Sequence, residues 1–187
     1  MSEEAIKKIK DKFGDAVLDT HSMHGDDTAR VEPNKWLDIV GFAKDELGFR
    51  QFIDLTAVDY LGIENGLPRF EVVLHLRNLE EGKRIRLKAR LSADAPSIES
   101  LVPLYKGANW FERECHEMYG VKFKNHPDLR PLLLYKEFKG YPLRKDYPID
   151  KRQPIVPLIA PEERRFPRPM DETPHGHDPR FIDEEEK

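Results

Sequence analysis

The chain of 187 residues has one cysteine, Cys115, which excludes an internal disulfide framework and any iron–sulfur cluster held by cysteines of this chain alone. Long apolar runs are missing too. No window approaches the ~20 apolar residues that a spanning helix needs. The leading MSEEAIKKIKDKFGDAV has no apolar stretch after its charges, so it does not read as a secretory signal. Excess positive charge is also absent: Lys+Arg number 31 against 35 Asp+Glu, and the net charge of -4 disfavours a general nucleic-acid binder held by phosphates. No glycine-rich phosphate loop occurs. His116-Glu117 opens a run like that of the zinc proteases, but Gly120 stands where the second His belongs.

What is present reads as one α+β domain followed by a different kind of chain. Ile6, Ile9 and Phe13 form one stripe of a short N-terminal helix, and Asp15 to Arg30 reads as a strand pair turning at Met23 to Asp27. Pro33 suits a first helical turn. Trp36, Ile39, Val40 and Ala43 give that helix a core face, and Gly48 ends it. The period then changes to two. A strand over Phe52 to Leu61 leads to Asn65-Gly66, a tight-turn pair. Phe70, Val72, Leu74 and Leu76, then Ile85, Leu87, Ala89 and Leu91 after the Glu81-Gly82 turn, make a half-buried antiparallel meander. Ser97 to Tyr105 reads as a further helix. The class is α+β, with an antiparallel or mixed sheet and flanking helices.

From Asn109 to Pro148 the chain concentrates its chemistry. Asn109 and Glu112 have the spacing of a capping box, and Gly120 is placed to end the helix in the left-handed conformation. Phe111, Cys115 and Met118 share an apolar face, while Glu112, Arg113, Glu114, His116 and Glu117 fill the rest. Such a density of charge is either a solvated face or a polar surface for a partner. Beyond His126 the texture shifts, since 11 of the 15 prolines lie between Pro127 and Pro179, which blocks helices and favours extended backbone. The division expected is a domain over 1–125 and a docking arm over 126–187. Ile155, Val156, Leu158, Ile159, Phe166, Met170 and Phe181 make the arm too apolar for a purely solvating tail.

Other clusters have plainer readings. Arg84, Arg86, Lys88 and Arg90 form a basic stripe on one strand face, but no aromatic residues interleave them and Glu71 is available as a partner. His21 and His24, and the His175-Gly176-His177-Asp178 cluster, fall short of a four-ligand structural zinc site. Glu112, Glu114 and Glu117 could act as acid and base only with a nucleophile or phosphate loop, and none accompanies them.

The run Glu112-Arg113-Glu114-Cys115-His116-Glu117-Met118-Tyr119-Gly120-Val121-Lys122-Phe123, continued by His126-Pro127-Asp128-Leu129-Arg130 and by Gly140-Tyr141-Pro142-Leu143-Arg144-Lys145-Asp146-Tyr147-Pro148, resembles the C-type subunit of NADH:quinone oxidoreductase, respiratory complex I. The resemblance is dense over about forty residues. It implies a subunit without catalytic residues or cofactor of its own, with flavin and iron–sulfur clusters in neighbouring chains. The implied partners are the large quinone-site subunit of D type and iron–sulfur subunits of B and I type, on the cytoplasmic side of a bacterial inner membrane. The candidate interface residues are Glu112, Arg113, Glu114, His126, Asp128, Arg130, Arg144, Lys145 and Asp146. Two alternatives stand beside this expectation: an equivalent subunit of a related complex fed by ferredoxin or another donor, and a free-standing metal-binding protein.

Overall fold

The computed structural model describes residues 2–63 and 66–155. Helix α1 (Glu3–Phe13) leads to a hairpin of β1 (Val17–Met23) and β2 (Asp26–Val31). A short 3-10 turn with Pro33 at its start then opens α2 (Trp36–Asp45). The long strands β3 (Gln51–Asp59), β4 (Phe70–Asn78) and β5 (Lys83–Leu91) follow, and β6 (Ser97–Glu99), α3 (Ala108–Tyr119) and β7 (Lys122–Lys124) complete the set.

The main sheet runs β1-β2-β5-β4-β3. Its β3, β4 and β5 form the expected antiparallel meander, but β2 joins the open side of β5 in parallel, so the sheet is mixed. Register explains why the meander is stable. Phe70, Val72, Leu74 and Leu76 lie directly across from Leu91, Ala89, Leu87 and Ile85, so both strands turn one continuous apolar face to the core. That face closes under Ile6 and Ile9 of α1 and Trp36, Ile39 and Val40 of α2.

The basic stripe occupies the opposite face. At its centre Glu71 is completely buried, and its carboxylate accepts from Arg30 Nε at 3.1 Å, Arg90 Nε at 2.9 Å and Tyr60 Oη at 2.9 Å, with Lys88 Nζ at 3.3 Å. Burial pushes the Glu71 carboxyl up, but Tyr60 and the surrounding cations outweigh it and hold it below the usual range. Lys88 and Arg90 of the stripe thus join Arg30 in a cage around one buried acid, while Arg84 and Arg86 pair with Asp26.

Two expectations about local structure are corrected. Ser97 to Tyr105 is not a helix: Ser97–Glu99 pairs in parallel with Lys122–Lys124, and only Leu101 to Tyr105 turns, through Tyr105 N–H to Leu101 O at 2.8 Å. Pro96 and Pro103 frame a segment too short for helix, and Ile98 gains a fully buried site as a strand residue. The β3–β4 connection, from Asp59 to Phe70, is longer than a two-residue turn. Asn65 itself lies outside the described residues, as do Val156, Leu158, Ile159, Phe166, Met170, Phe181 and the His175–Asp178 cluster.

The compact unit extends through Gln153, past the boundary expected at residue 125. Removing the acid at the centre of the stripe should therefore unfold a domain, not free a binding surface. Glu71→Ala strands three cations, and we expect a loss of roughly 3–5 kcal/mol in denaturant unfolding. Arg84→Ala, at the exposed end of the same stripe, is expected to stay within about 0.5 kcal/mol.

Candidate functional site

Helix α3 starts from Gly107, not from an Asn109 cap, and no side chain caps it. Glu112 is turned inward instead. Its carboxylate is fully buried and accepts from Ser100 Oγ at 2.7 Å and the Leu101 amide at 2.6 Å, so it fixes the turn after β6. No cation bonds it. Burial among neutral donors pushes its carboxyl up to about 7, against the pull of those two hydrogen bonds. His126, equally buried, stands 3.9 Å from it, takes the Asp128 amide on Nδ1 and reaches Asn109 O with Nε2 at 3.2 Å.

Beside Glu112 on α3, two charges one turn apart ignore each other and grip a passing backbone. Glu117 accepts three successive amides, those of Leu132 at 2.8 Å, Leu133 at 2.9 Å and Leu134 at 3.2 Å. Arg113 donates to the carbonyls just before them, Nε to Arg130 O and a terminal nitrogen to Pro131 O, both at 2.8 Å. Acid takes N–H and base takes C=O. The proline-rich segment has no ladder of its own, and α3 supplies the missing partners.

The C-terminus of α3 is closed by the same segment. Gly120 ends the helix at φ 77°, as its sequence position predicts, and donates to His116 O. The Leu143 amide takes Met118 O, and Arg144 Nε takes Tyr119 O at 2.5 Å, so a cation sits at the negative end of the helix. The Arg144 guanidinium also lies 4.2 Å from the Tyr141 ring centre and 5.0 Å from that of Phe70. A Cβ on residue 120 would meet both Arg144 and the Tyr141 ring, which requires glycine twice over.

A second clamp comes from the sheet. Asp59, at the end of β3, receives Arg69 Nε at 2.8 Å and the Lys145 amide at 2.9 Å, and Arg69 reaches on to Asp146 at 3.0 Å. Burial pushes the Asp59 carboxyl up, but the Arg69 fork and the Lys145 and Leu61 amides win and hold it at about 2. Glu117, Asp59 and Arg69 escaped the sequence reading as anchors, because each is an ordinary charge until the segment it holds is in place. The available signal was indirect: a long stretch without periodicity has backbone groups that something must satisfy.

The nine candidate residues thus divide. Glu112 and His126 are internal, Arg113 and Arg144 hold backbone within the chain, and Glu114, Arg130, Lys145, Asp146 and part of Asp128 face solvent. Among the described residues, no group of three or more His, Cys, Asp or Glu could hold a metal ion, and no helix is long and apolar enough to cross a membrane.

Residues 29–153, the span that carries β3 to β7, α3 and both clamps, match the family model described as respiratory-chain NADH dehydrogenase, 30 Kd subunit. The chain belongs to this family. It is 40% identical over 148 residues to the C-type subunit of NADH-quinone oxidoreductase from Citrifermentans bemidjiense, covering 79% of this chain and 90% of that one. Against the same subunit of Rhodobacter capsulatus it is 42% identical over 164 residues, with 80% of each covered. Among solved structures, a trypsin-resistant fragment of Nqo5 shares the fold, with a TM-score of 0.61 at 23% identity over 68% of this chain and 98% of that one. A chain of an archaeal membrane-bound sulfane sulfur reductase gives 0.67 at 25% identity, covering 79% and 86%.

Two measurements check the roles assigned to these anchors. Glu112 binds its proton more tightly folded than unfolded, so its effect is to lower stability as pH rises from its ordinary ~4.3 to about 7, on the order of 3 kcal/mol in all. The difference between wild type and Glu112→Gln in denaturant unfolding should fall by that amount across the window; a flat difference would contradict the assignment. Ending the chain after Gln153 should keep cooperative unfolding, whereas ending it after Asn125 strips Glu117 of its three amides, at roughly 1–3 kcal/mol, and takes the Lys145 amide from Asp59. Equal melting temperatures for the two truncations would show the clamps to be idle.

Proposed function

We propose that this chain is a non-catalytic scaffold subunit of the hydrophilic arm of a proton-translocating NADH:quinone oxidoreductase. It binds no cofactor itself, and electrons pass through neighbouring chains that hold flavin and iron–sulfur clusters. Its partners are the large quinone-site subunit of D type and the iron–sulfur subunits of B and I type, and it reaches the membrane only through them, on the cytoplasmic side. The observation that carries this reading is the use made of the charged residues of α3. Glu112, Arg113 and Glu117 each hold backbone or an internal hydroxyl, which leaves none of them poised for acid–base chemistry. Stapled in this way, the segment over 126–148 offers a rigid surface, which lowers the entropy lost on docking.

The docking residues proposed are the ones that face outward. Glu114, Arg130 and Lys145 are exposed, and Trp110, Leu133 and Leu143 place exposed apolar side chains among them. A related assembly with a different electron donor is the second reading; its support is that a chain of another respiratory membrane complex, the archaeal sulfane sulfur reductase, has a similar fold. The chains that co-purify from the native membrane separate the two: flavin- and NADH-binding chains support the first, and their absence from an otherwise intact complex supports the second.

The triple variant Glu114→Lys, Arg130→Glu, Lys145→Glu should keep the isolated protein within about 0.5 kcal/mol per site of wild type. Recovery of the assembled complex and its NADH:quinone activity should drop together. Full recovery of complex would remove these residues from the interface. Stoichiometric flavin or metal on the isolated chain would contradict the scaffold reading itself.

A further inference from the structure

We infer that the cleft between the β6–β7 pair and the turn from Tyr141 to Arg144 is a binding site for an oxyanion group, a carboxylate or a phosphate, gripped by Arg144 and Lys122. It is an open cavity of about 530 Å³ beside the C-terminus of α3, lined by Ser97, Gly120, Lys122, Lys124, Tyr141 and Arg144, and Asp94 is the one acid on its walls. Arg144 is the centre of the argument. Its half-buried guanidinium is held in place by Nε donating to Tyr119 O and by the Tyr141 and Phe70 rings, 4.2 and 5.0 Å away. Among the described residues, its two terminal nitrogens have no hydrogen-bond partner. Gly120 keeps them approachable, because a Cβ there would stand against Nη2. A donor pair fixed in advance engages an oxyanion with little further loss of entropy.

The charge on the walls favours an anion. Lys122 and Lys124 share one face of β7, across from Ser97 and Glu99 of β6. Glu99 is already engaged, 3.9 Å from Lys124 Nζ and accepting the Asn125 side-chain amide, and Asp146 is bridged to Arg69 at 3.0 Å. Lys122 is exposed and forms no ion pair among the described residues. Three cations thus face Asp94, and a positive charge is still in excess when Glu99 is counted with it. The negative end of α3 does little to cancel this. Its last carbonyls, those of His116, Met118 and Tyr119, are taken by the Gly120 and Leu143 amides and by Arg144 Nε.

The test uses the isolated full chain, so it does not depend on the scaffold reading. Inorganic phosphate is titrated against sodium chloride of equal ionic strength while backbone amide shifts are followed by NMR. The amides of Ser97, Gly120 and Lys122 should move saturably with phosphate alone, with a dissociation constant on the order of 1 mM. Lys122→Glu should weaken binding by about tenfold or more, and Asp94→Asn should tighten it. Both residues are exposed, and unchanged melting temperatures check that the fold is kept. The source of the group is read in the purified complex. A carbodiimide link from Lys122 to a carboxylate of a neighbouring chain would identify that chain as the source, and phosphate binding with Lys122 unlinked would identify a free solute; either is the inferred site in use. Equal shifts in chloride, a linear course without saturation, shifts that map away from the cleft, or binding indifferent to both substitutions would overturn the inference.

Discussion

One carboxylate holding three successive backbone amides organises much of what distinguishes this chain from a plain α+β domain. A proline-rich segment cannot make a helix, and its missing N–H groups exclude it from a central strand, yet the amides and carbonyls it retains still need partners wherever water is displaced. Glu117 supplies acceptors to Leu132, Leu133 and Leu134, and Arg113 supplies donors to the carbonyls of Arg130 and Pro131. Because the two charges stand one helical turn apart, a single rigid helix fixes both edges of the segment. Asp59 and Arg69 repeat the device from the sheet, on Lys145 and Asp146.

Two fully buried glutamates show how the same residue serves two kinds of support. Glu71 is ringed by Arg30, Lys88 and Arg90 and is held as an anion below the usual carboxyl range. Glu112 has only a hydroxyl and an amide as hydrogen-bond donors, so burial raises it to about 7. Charge partners, not depth, decide the direction. The first ties three strands together across the sheet, and the second ties α3 to the turn after β6.

Much of this fold was legible in advance. Strict alternation over Phe70–Leu76 and Ile85–Leu91 located two core strands, and their observed register pairs the apolar residues one to one. Gly120 marked the end of α3, and Glu71 was visible as a partner for the basic stripe. The parallel pairing of β2 with β5 was not legible, because no local pattern says which edge a remote hairpin will join. The strand at Ser97–Glu99 was missed for a similar reason: its partner at Lys122–Lys124 lies beyond an entire helix. The candidate site was legible as a region and much less so by residue. Spacing cannot tell that Glu112 points inward while Glu114 points out, since that depends on which face α3 turns to β3.

The charges of α3 hold the backbone of the segment that follows it. Amide exchange at Leu132, Leu133 and Leu134, measured residue by residue in wild type and in Glu117→Ala, tests it most directly. Amides protected in the wild type should return to unprotected rates in the variant, while amides of Phe70–Asn78 and Lys83–Leu91 stay unchanged. Unprotected amides at these three positions in the wild type, or protection that survives the loss of the carboxylate, would contradict it.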